Sequence, residues 1–154
     1  MLIVEDGTGL PNAEAYISAA EADTYHANRG NAAWAALDTP AKEAALRKAA
    51  DYMDVVYGGR WHGSRLTPGQ AMDWPRGVVG VPEAVKRASA ELALRASAAE
   101  LAADQGPAVK SETVGPISVT YADGASQFQR YPFVDGLLAS LLDGSYGQAR
   151  VVRQ

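Results

Sequence analysis

The feature that most constrains the fold is a long amphipathic helix, which the sequence predicts from Pro82 to Ala103. Proline suits the first helical position, where its missing N–H costs no hydrogen bond, and Gly106-Pro107 is a strong stop signal. One helix cannot bury an apolar stripe alone, so other helices must pack against this one. The predicted stripe recurs at steps of three and four: Val85, Ala88, Leu92, Ala96 and Ala99.

Further helices are predicted on both sides of this segment. Ser18 and Glu21 form a capping-box pattern, and Thr39-Pro40 supplies an N-cap followed by proline at the first helical position. The chain is also rich in alanine, which favours close-packed helices over a sheet sandwich. The predicted helices run over about residues 19–28, 40–57, 68–72 and 132–144.

After the long helix, the residue pattern changes from a helical period to strict alternation. Val109–Val114 and Ile117–Tyr121 flank Gly115-Pro116, which predicts two strands joined by a turn. An isolated ribbon is barely stable in water, so it either folds back on its own helices or joins a neighbouring subunit by strand addition. The alternation favours the intersubunit role, which we assign to Val109, Ser111, Thr113, Ile117, Val119 and Tyr121.

The predicted fold class is therefore mostly α: a small helical bundle with a protruding β-hairpin and an extended C-terminal tail. The predicted domain covers residues 1–144, including the hairpin at 109–121, and residues 145–154 form a docking tail. The first residues show neither a signal-peptide pattern nor a membrane span.

The composition argues against several classes of function. A net charge of −4 disfavours strong non-specific binding to nucleic acid, and the lack of cysteine excludes thiolate chemistry and disulfides. His26 and His62 belong to no recognisable catalytic or metal-ligand spacing, so structural or surface roles are expected for both. We therefore expect no enzyme activity, no cofactor and no metal.

One irregular segment, residues 60–81, interleaves aromatic and cationic side chains. Such a pattern is typical of a platform on which the bases of single-stranded DNA stack. The alternative, which the acidic composition favours, is that the tryptophans plug one end of the helical bundle while the arginines cap carbonyls or pair with Asp73. The residues concerned are Arg60, Trp61, Arg65, Trp74 and Arg76.

Several stretches together resemble a bacteriophage family labelled DnaT-like single-stranded-DNA-binding protein, which is similar to the head–tail connector adaptors of tailed phages. The most specific stretches are the WPR loop within QAMDWPRGVV (70–79) and the ribbon within VKSETVGPISVTYADG (109–124). The others are VEDGTGLPNAEAYIS (4–18), EADTYHANRGNAAW (21–34) and VPEAVKRASAELALRA (81–96).

The resemblance implies a structural subunit of the phage neck, assembled in the host cytoplasm as a ring of twelve copies. Such a ring would bind the portal protein above and a stopper or tail-terminator protein below, with double-stranded DNA passing through its channel. Glu83, Glu91 and Asp123 are candidate channel residues. Portal docking is assigned to Tyr146, Arg150, Val151, Val152 and Arg153. The alternative functions are a phage single-stranded-DNA-binding protein and a small interaction module.

Overall fold

The computed structural model describes residues 1–102, 111–114, 117–120 and 130–143. Helices α3 and α4 pack along each other at the centre, α5 packs on α4, and α1 contacts α2, α3 and α4. No helix in the described ranges is long and apolar enough to cross a membrane. The helices of these ranges are α1 (Ala19–Ala27), α2 (Ala32–Ala35), α3 (Thr39–Tyr57), α4 (Glu83–Ala96) and α5 (Pro132–Leu138).

The helix starts follow the capping signals closely. The capping box ahead of α1 is confirmed: the Glu21 amide donates to Ser18 Oγ at 3.1 Å, and the Ser18 amide donates to the Glu21 carboxylate at 2.8 Å. For α3 the predicted cap is wrong by one residue. Asp38 caps the helix by accepting from the Ala41 amide at 2.8 Å, because a carboxylate one residue earlier reaches the free amides of the first turn.

Helix α4 is shorter than the sequence predicts and ends at Ala96. The Ser97 hydroxyl donates to the Leu94 carbonyl at 2.7 Å, and the chain then turns. The turn buries Leu101, whose carbonyl accepts from the Tyr131 hydroxyl at 3.1 Å. Four members of the predicted stripe are buried, namely Val85, Ala88, Leu92 and Ala96, whereas Ala99 is exposed.

The predicted helix at 68–72 is wrong, because this segment forms a turn. The Gln70 side chain accepts from the Thr67 amide at 2.9 Å, as a capping box would require. Its amide nitrogen also donates to the carbonyls of Met72 and Pro75, at 2.8 and 3.0 Å. These bonds hold the chain in a compact loop, which ends in a cis peptide bond between Trp74 and Pro75.

The segment 130–143 closes one end of the helical body. Helix α5 begins at Pro132 as predicted, but it ends at Leu138 and continues as a 3-10 turn over Ala139–Leu141. The Tyr57 hydroxyl donates to Asp135 at 2.8 Å, and the Asp143 amide donates to the Arg60 carbonyl at 2.6 Å. Both ends of the segment are therefore fixed to α3 and to the chain after it.

The N-terminal arm is tied to the loop before α4. Glu5 is buried, and its carboxylate accepts from the amides of Gly7, Gly9 and Leu10 at 2.8 to 2.9 Å. Gly7 has a φ of +95°, and a Cβ added there would lie 2.6 Å from the Gly80 Cα. Only glycine allows this approach of two backbones.

The predicted fold class of a helical bundle with a protruding β-hairpin is wrong. The described body is mostly helical with five α-helices, and its ranges 1–102 and 130–143 contain no β-strand, only isolated bridges. Two four-residue segments, Ser111–Val114 and Ile117–Thr120, pair antiparallel only with each other, with Val114 opposite Ile117. The alternation of apolar and polar residues therefore predicts the local pairing of these two segments. It does not predict how the pair is placed relative to the helical body. The tail lies outside the described residues.

Candidate nucleic-acid interface

The two tryptophans of the predicted stacking platform are buried. Only 3% of Trp61 and 7% of Trp74 is exposed. Their ring centroids lie 5.8 Å apart in an edge-to-face arrangement. A base needs an accessible ring face for stacking, so neither tryptophan can serve as a platform in this structure.

Asp73 organises this cluster from its centre. Its buried carboxylate accepts from Trp61 Nε1 at 3.0 Å and from Arg65 Nη2 at 2.8 Å. The Tyr16 hydroxyl accepts from the Asp73 backbone amide at 3.1 Å. The bond to Asp73 raises the pKa of Arg65, and burial beside Asp73 raises the pKa of Tyr16. This ion pair supports the structural alternative for the cluster.

The other two arginines of the cluster also face the protein. Arg76 donates to the carbonyls of His62 at 3.0 Å, Asp73 at 3.3 Å and Gly63. The Arg60 guanidinium lies over the Tyr57 ring, 5.9 Å from its centroid. The structure thus brings the residues of the predicted stacking platform together, but their side chains form contacts between the 58–66 and 72–76 segments.

His26 is 1% exposed and lies between α1 and α4. Its Nε2 is 3.1 Å from the Ala90 carbonyl, and its Nδ1 is 2.9 Å from the Asn31 amide nitrogen. These partners require Nε2 to carry the proton and Nδ1 to accept, which is the neutral imidazole. Burial lowers the pKa of His26, which favours the same neutral form.

The exposed His62 ring contacts the Asp143 carboxylate through Nδ1. The described residues contain no group of three or more histidine and acidic side chains that could hold a metal ion.

A groove of about 400 Å³ lies between α1 and α4, and more cations than carboxylates line it. We call it the α1–α4 groove. Its floor and walls contain an aromatic ring, three cations and two carboxylates, alongside smaller side chains. The residues on which its chemistry depends are Glu21, Tyr25, Arg29, Glu83, Lys86 and Arg87.

A stacked pair forms one wall of the groove. The Arg29 guanidinium carbon lies 3.5 Å from the centroid of the Tyr25 ring, and Arg29 Nη1 donates to the Tyr25 carbonyl at 3.0 Å. The Tyr25 hydroxyl donates to Glu91 at 2.9 Å. Burial and this bond raise the pKa of Tyr25, so the phenol stays neutral near pH 7. Arg29 itself is exposed, so a planar cation is held in place at the surface.

Two more cations, from α4, line the same groove. Lys86 Nζ lies 3.3 Å from Glu21 Oε1. Arg87 lies beside Tyr25, where it partly lowers the pKa of the phenol, and its Nε is buried without a hydrogen-bond partner. Sequence reasoning missed this groove. The signal was the spacing of Tyr25 and Arg29, four residues apart, which lets Arg29 in the turn after α1 reach back to the Tyr25 ring.

Some of the remaining predicted site residues lie within the described part of the chain, and the others lie outside it. Glu83 is exposed, but Glu91 is buried and bonded to Arg95 at 2.7 Å, so it cannot face a channel in this conformation. In the predicted ribbon, Ser111, Thr113, Ile117 and Val119 lie on the paired strands. The others lie outside the described residues: Val109, Tyr121, Asp123, Tyr146, Arg150, Val151, Val152 and Arg153.

The chain matches one family model over residues 1–154, and the model is described as "Putative DnaT-like ssDNA binding protein". The protein therefore belongs to this DnaT-like family. No curated protein and no solved structure shows a significant match to the chain. The family match gives no evidence for membership of the head–tail connector adaptors.

Proposed function

We propose that the protein binds single-stranded DNA through the α1–α4 groove. The observation that carries this proposal is the Tyr25–Arg29 stack, with 3.5 Å between the guanidinium carbon and the ring centroid. An exposed guanidinium held over an aromatic ring offers a face on which any base can stack, and such stacking contributes about 1–3 kcal/mol per base. The family to which the chain belongs supports the same ligand class.

The charges of the groove predict weak and moderately salt-sensitive binding. Arg29, Lys86 and Arg87 provide at most three phosphate contacts, whereas Glu21 and Glu83 repel phosphates. For single strands the slope of log K against log salt is about −0.7 per phosphate neutralised, so we expect a slope of about −2 or shallower. The net charge of −4 lowers the affinity further.

Fluorescence anisotropy with a labelled oligo-dT tests the proposal. Arg29→Ala should raise Kd about fivefold or more, because it removes the stacking face, and Arg29→Lys should restore only part of the loss. Lys86→Gln should also weaken binding. Lys48→Gln is its matched control: Lys48 forms a similar surface ion pair, 2.7 Å from Glu100, outside the groove. This control should leave Kd unchanged.

Two results would contradict the proposal. One is the absence of any binding by the wild-type chain at low salt and millimolar protein. The other is equal loss of affinity in Lys86→Gln and Lys48→Gln, since equal losses would mean that only the overall charge matters.

A second candidate function is that of a head–tail adaptor subunit in a phage neck, bound to copies of itself, to the portal above and to a stopper or terminator below. The observation that favours it is an exposed apolar loop. Val78 and Val79 are 72% and 70% exposed, although the loop is held at both ends by bonds from Gly77 to Ser64 and from Gly80 to Gly7. A fixed loop with apolar side chains in water is typical of a protein-binding surface.

Co-sedimentation with the portal protein tests the adaptor function. Deletion of residues 145–154 should abolish attachment, and serine at both Val78 and Val79 should weaken assembly into rings. Val55→Ser is the matched control, because Val55 is 83% exposed on α3, away from the loop. Unimpaired portal binding by the truncated chain would rule out the tail assignment. Neither candidate function includes a chemical step.

A further inference from the structure

The α1–α4 groove contains an anion of its own, the carboxylate of Glu21. One carboxylate oxygen, Oε2, accepts from the Ser18 amide at 2.8 Å and from the Ser18 hydroxyl at 2.9 Å. The other oxygen, Oε1, lies 3.3 Å from Lys86 Nζ. The carboxylate is therefore bound to the start of α1 through Oε2 and forms an ion pair with Lys86 through Oε1.

We propose that Glu21 is an internal competitor that occupies the position of a nucleotide phosphate beside Lys86. The inference rests on the proposed function of the groove. A phosphate can bind Lys86 only when the lysine leaves Glu21, because a second anion at this distance would be repelled by the carboxylate. The site would thus take a single nucleotide unit: its base on Arg29, and its phosphate on Lys86 in place of Glu21.

The two roles of the Glu21 carboxylate can be separated by one substitution, Glu21→Gln. Glutamine also completes a capping box, since its side-chain oxygen can accept from the Ser18 amide. The NH2 group of the substituted side chain then faces Lys86, where it carries no charge. Glu21→Gln should consequently retain the start of α1 and free Lys86, and circular dichroism at 222 nm should confirm an unchanged helix content.

Two other substitutions supply the controls. Glu83→Gln removes an equal charge from the same groove, from a side chain that is not bonded to Lys86 in the structure. Glu100→Gln removes the charge opposite Lys48, in an ion pair outside the groove. The first control measures the general effect of charge within the groove, and the second measures the effect of the net charge of the chain.

The experiment is an anisotropy titration of the full chain with 5′-labelled oligo-dT at 20 mM salt. In a parallel competition titration, inorganic phosphate is added to the complex of chain and oligonucleotide. Glu21→Gln should bind at least threefold more tightly than wild type, with a larger gain than either control. The double variant Glu21→Gln/Lys86→Gln should bind no better than Lys86→Gln alone. Phosphate should displace the oligonucleotide from Glu21→Gln at lower concentration than from wild type.

The outcomes separate this inference from the proposed function. If wild type binds but Glu21→Gln gains no more than Glu83→Gln, the competitor role of Glu21 is wrong and binding by the groove stands. A gain that persists in the double variant would also overturn it, because Lys86 would not be involved. If neither wild type nor Glu21→Gln binds, the proposed function itself fails, and the inference fails with it.

Discussion

At the scale of single residues, the hydrogen-bond partners and the burial of His26 and Glu91 determine whether each side chain is charged. His26 is neutral because its two ring nitrogens are committed to Ala90 and Asn31 and because burial lowers its pKa. Protonation of His26 would place its Nδ1–H group opposite the side-chain NH2 group of Asn31, which is also a donor. Glu91 remains charged because hydrogen bonds from Arg95 and Tyr25 lower its pKa against the effect of burial, which raises it.

The first prediction concerns the pH dependence of stability. Because burial lowers the pKa of His26, the unfolded chain binds more protons than the folded one as pH falls. The contribution of His26 is complete above the unfolded pKa, and it decreases as pH drops toward the folded value, by at most about 1.4 kcal/mol per pH unit. Urea unfolding should show lower stability at pH 5.5 than at pH 7.5.

His26→Gln provides the comparison, since glutamine does not titrate in this range. Its stability should vary less between pH 7.5 and 5.5 than that of wild type. Equal pH dependence in wild type and His26→Gln would show that another group titrates.

The second prediction separates the tryptophan cluster from DNA binding. Asp73→Asn leaves Arg65 without its close partner and weakens the bond from Trp61. Because the Arg65 side chain is 40% exposed, water partly screens the pair, so we expect a cost of about 1.5–3 kcal/mol, as for a hydrogen bond to a charged group. Asp51→Asn, at an exposed position of α3, should have little effect.

Urea unfolding measures this cost, and anisotropy of the folded variant measures the affinity. We expect the oligo-dT Kd of Asp73→Asn to equal that of wild type. Tighter or weaker binding without a change in stability would assign the cluster to the interface.

The sequence could identify the members of the Trp–Arg cluster but not the direction in which they face. Aromatic and cationic residues alternate in both a stacking platform and a buried plug. Burial of Trp61 and Trp74 depends on Tyr16, Tyr57 and Asp73, which come from three separate segments. No local pattern records that arrangement.

At the scale of elements, the helix starts and the ends of α1 and α3 agree with the sequence prediction to within one residue, whereas α4 and α5 end earlier than predicted. The cap of α1 and the proline at the start of α5 act within one turn, so they can be read from neighbouring residues. The end of α4 depends on Leu101 reaching the Tyr131 hydroxyl, 30 residues away in the chain. The alternation of apolar and polar residues predicts the pairing of residues 111–114 with 117–120. It does not predict where this pair lies relative to the helices.

The third prediction concerns the attachment of α5 to α3. Tyr57→Phe removes the hydrogen bond to Asp135 while retaining the ring. Hydrogen bonds to charged groups contribute about 1.5–3 kcal/mol, so we expect a stability loss at or near this range. Tyr52→Phe removes a hydroxyl on the same helix and should cost less. Chemical unfolding of both variants, and hydrogen exchange of the α5 amides, would measure the difference; equal losses would rule out a specific role for the Asp135 bond.

At the scale of the whole molecule, the acidic chain places a few cations where two helices meet. Arg29 comes from the turn after α1, and Lys86 and Arg87 come from the start of α4, far along the chain. Composition alone therefore argues against nucleic-acid binding, whereas the packing of α1 on α4 creates a local site. The groove could not be predicted because its two walls meet only through the fold.

The most direct test of this account is a ¹H–¹⁵N correlation spectrum of the labelled chain titrated with oligo-dT. The account predicts shifts for the backbone amides around Tyr25, Arg29 and Lys86, and for the Arg29 side-chain Nε–H. The indole N–H signals of Trp61 and Trp74 should remain in place, because both rings are buried. Shifts of these two indoles, with an unperturbed α1–α4 groove, would contradict the account.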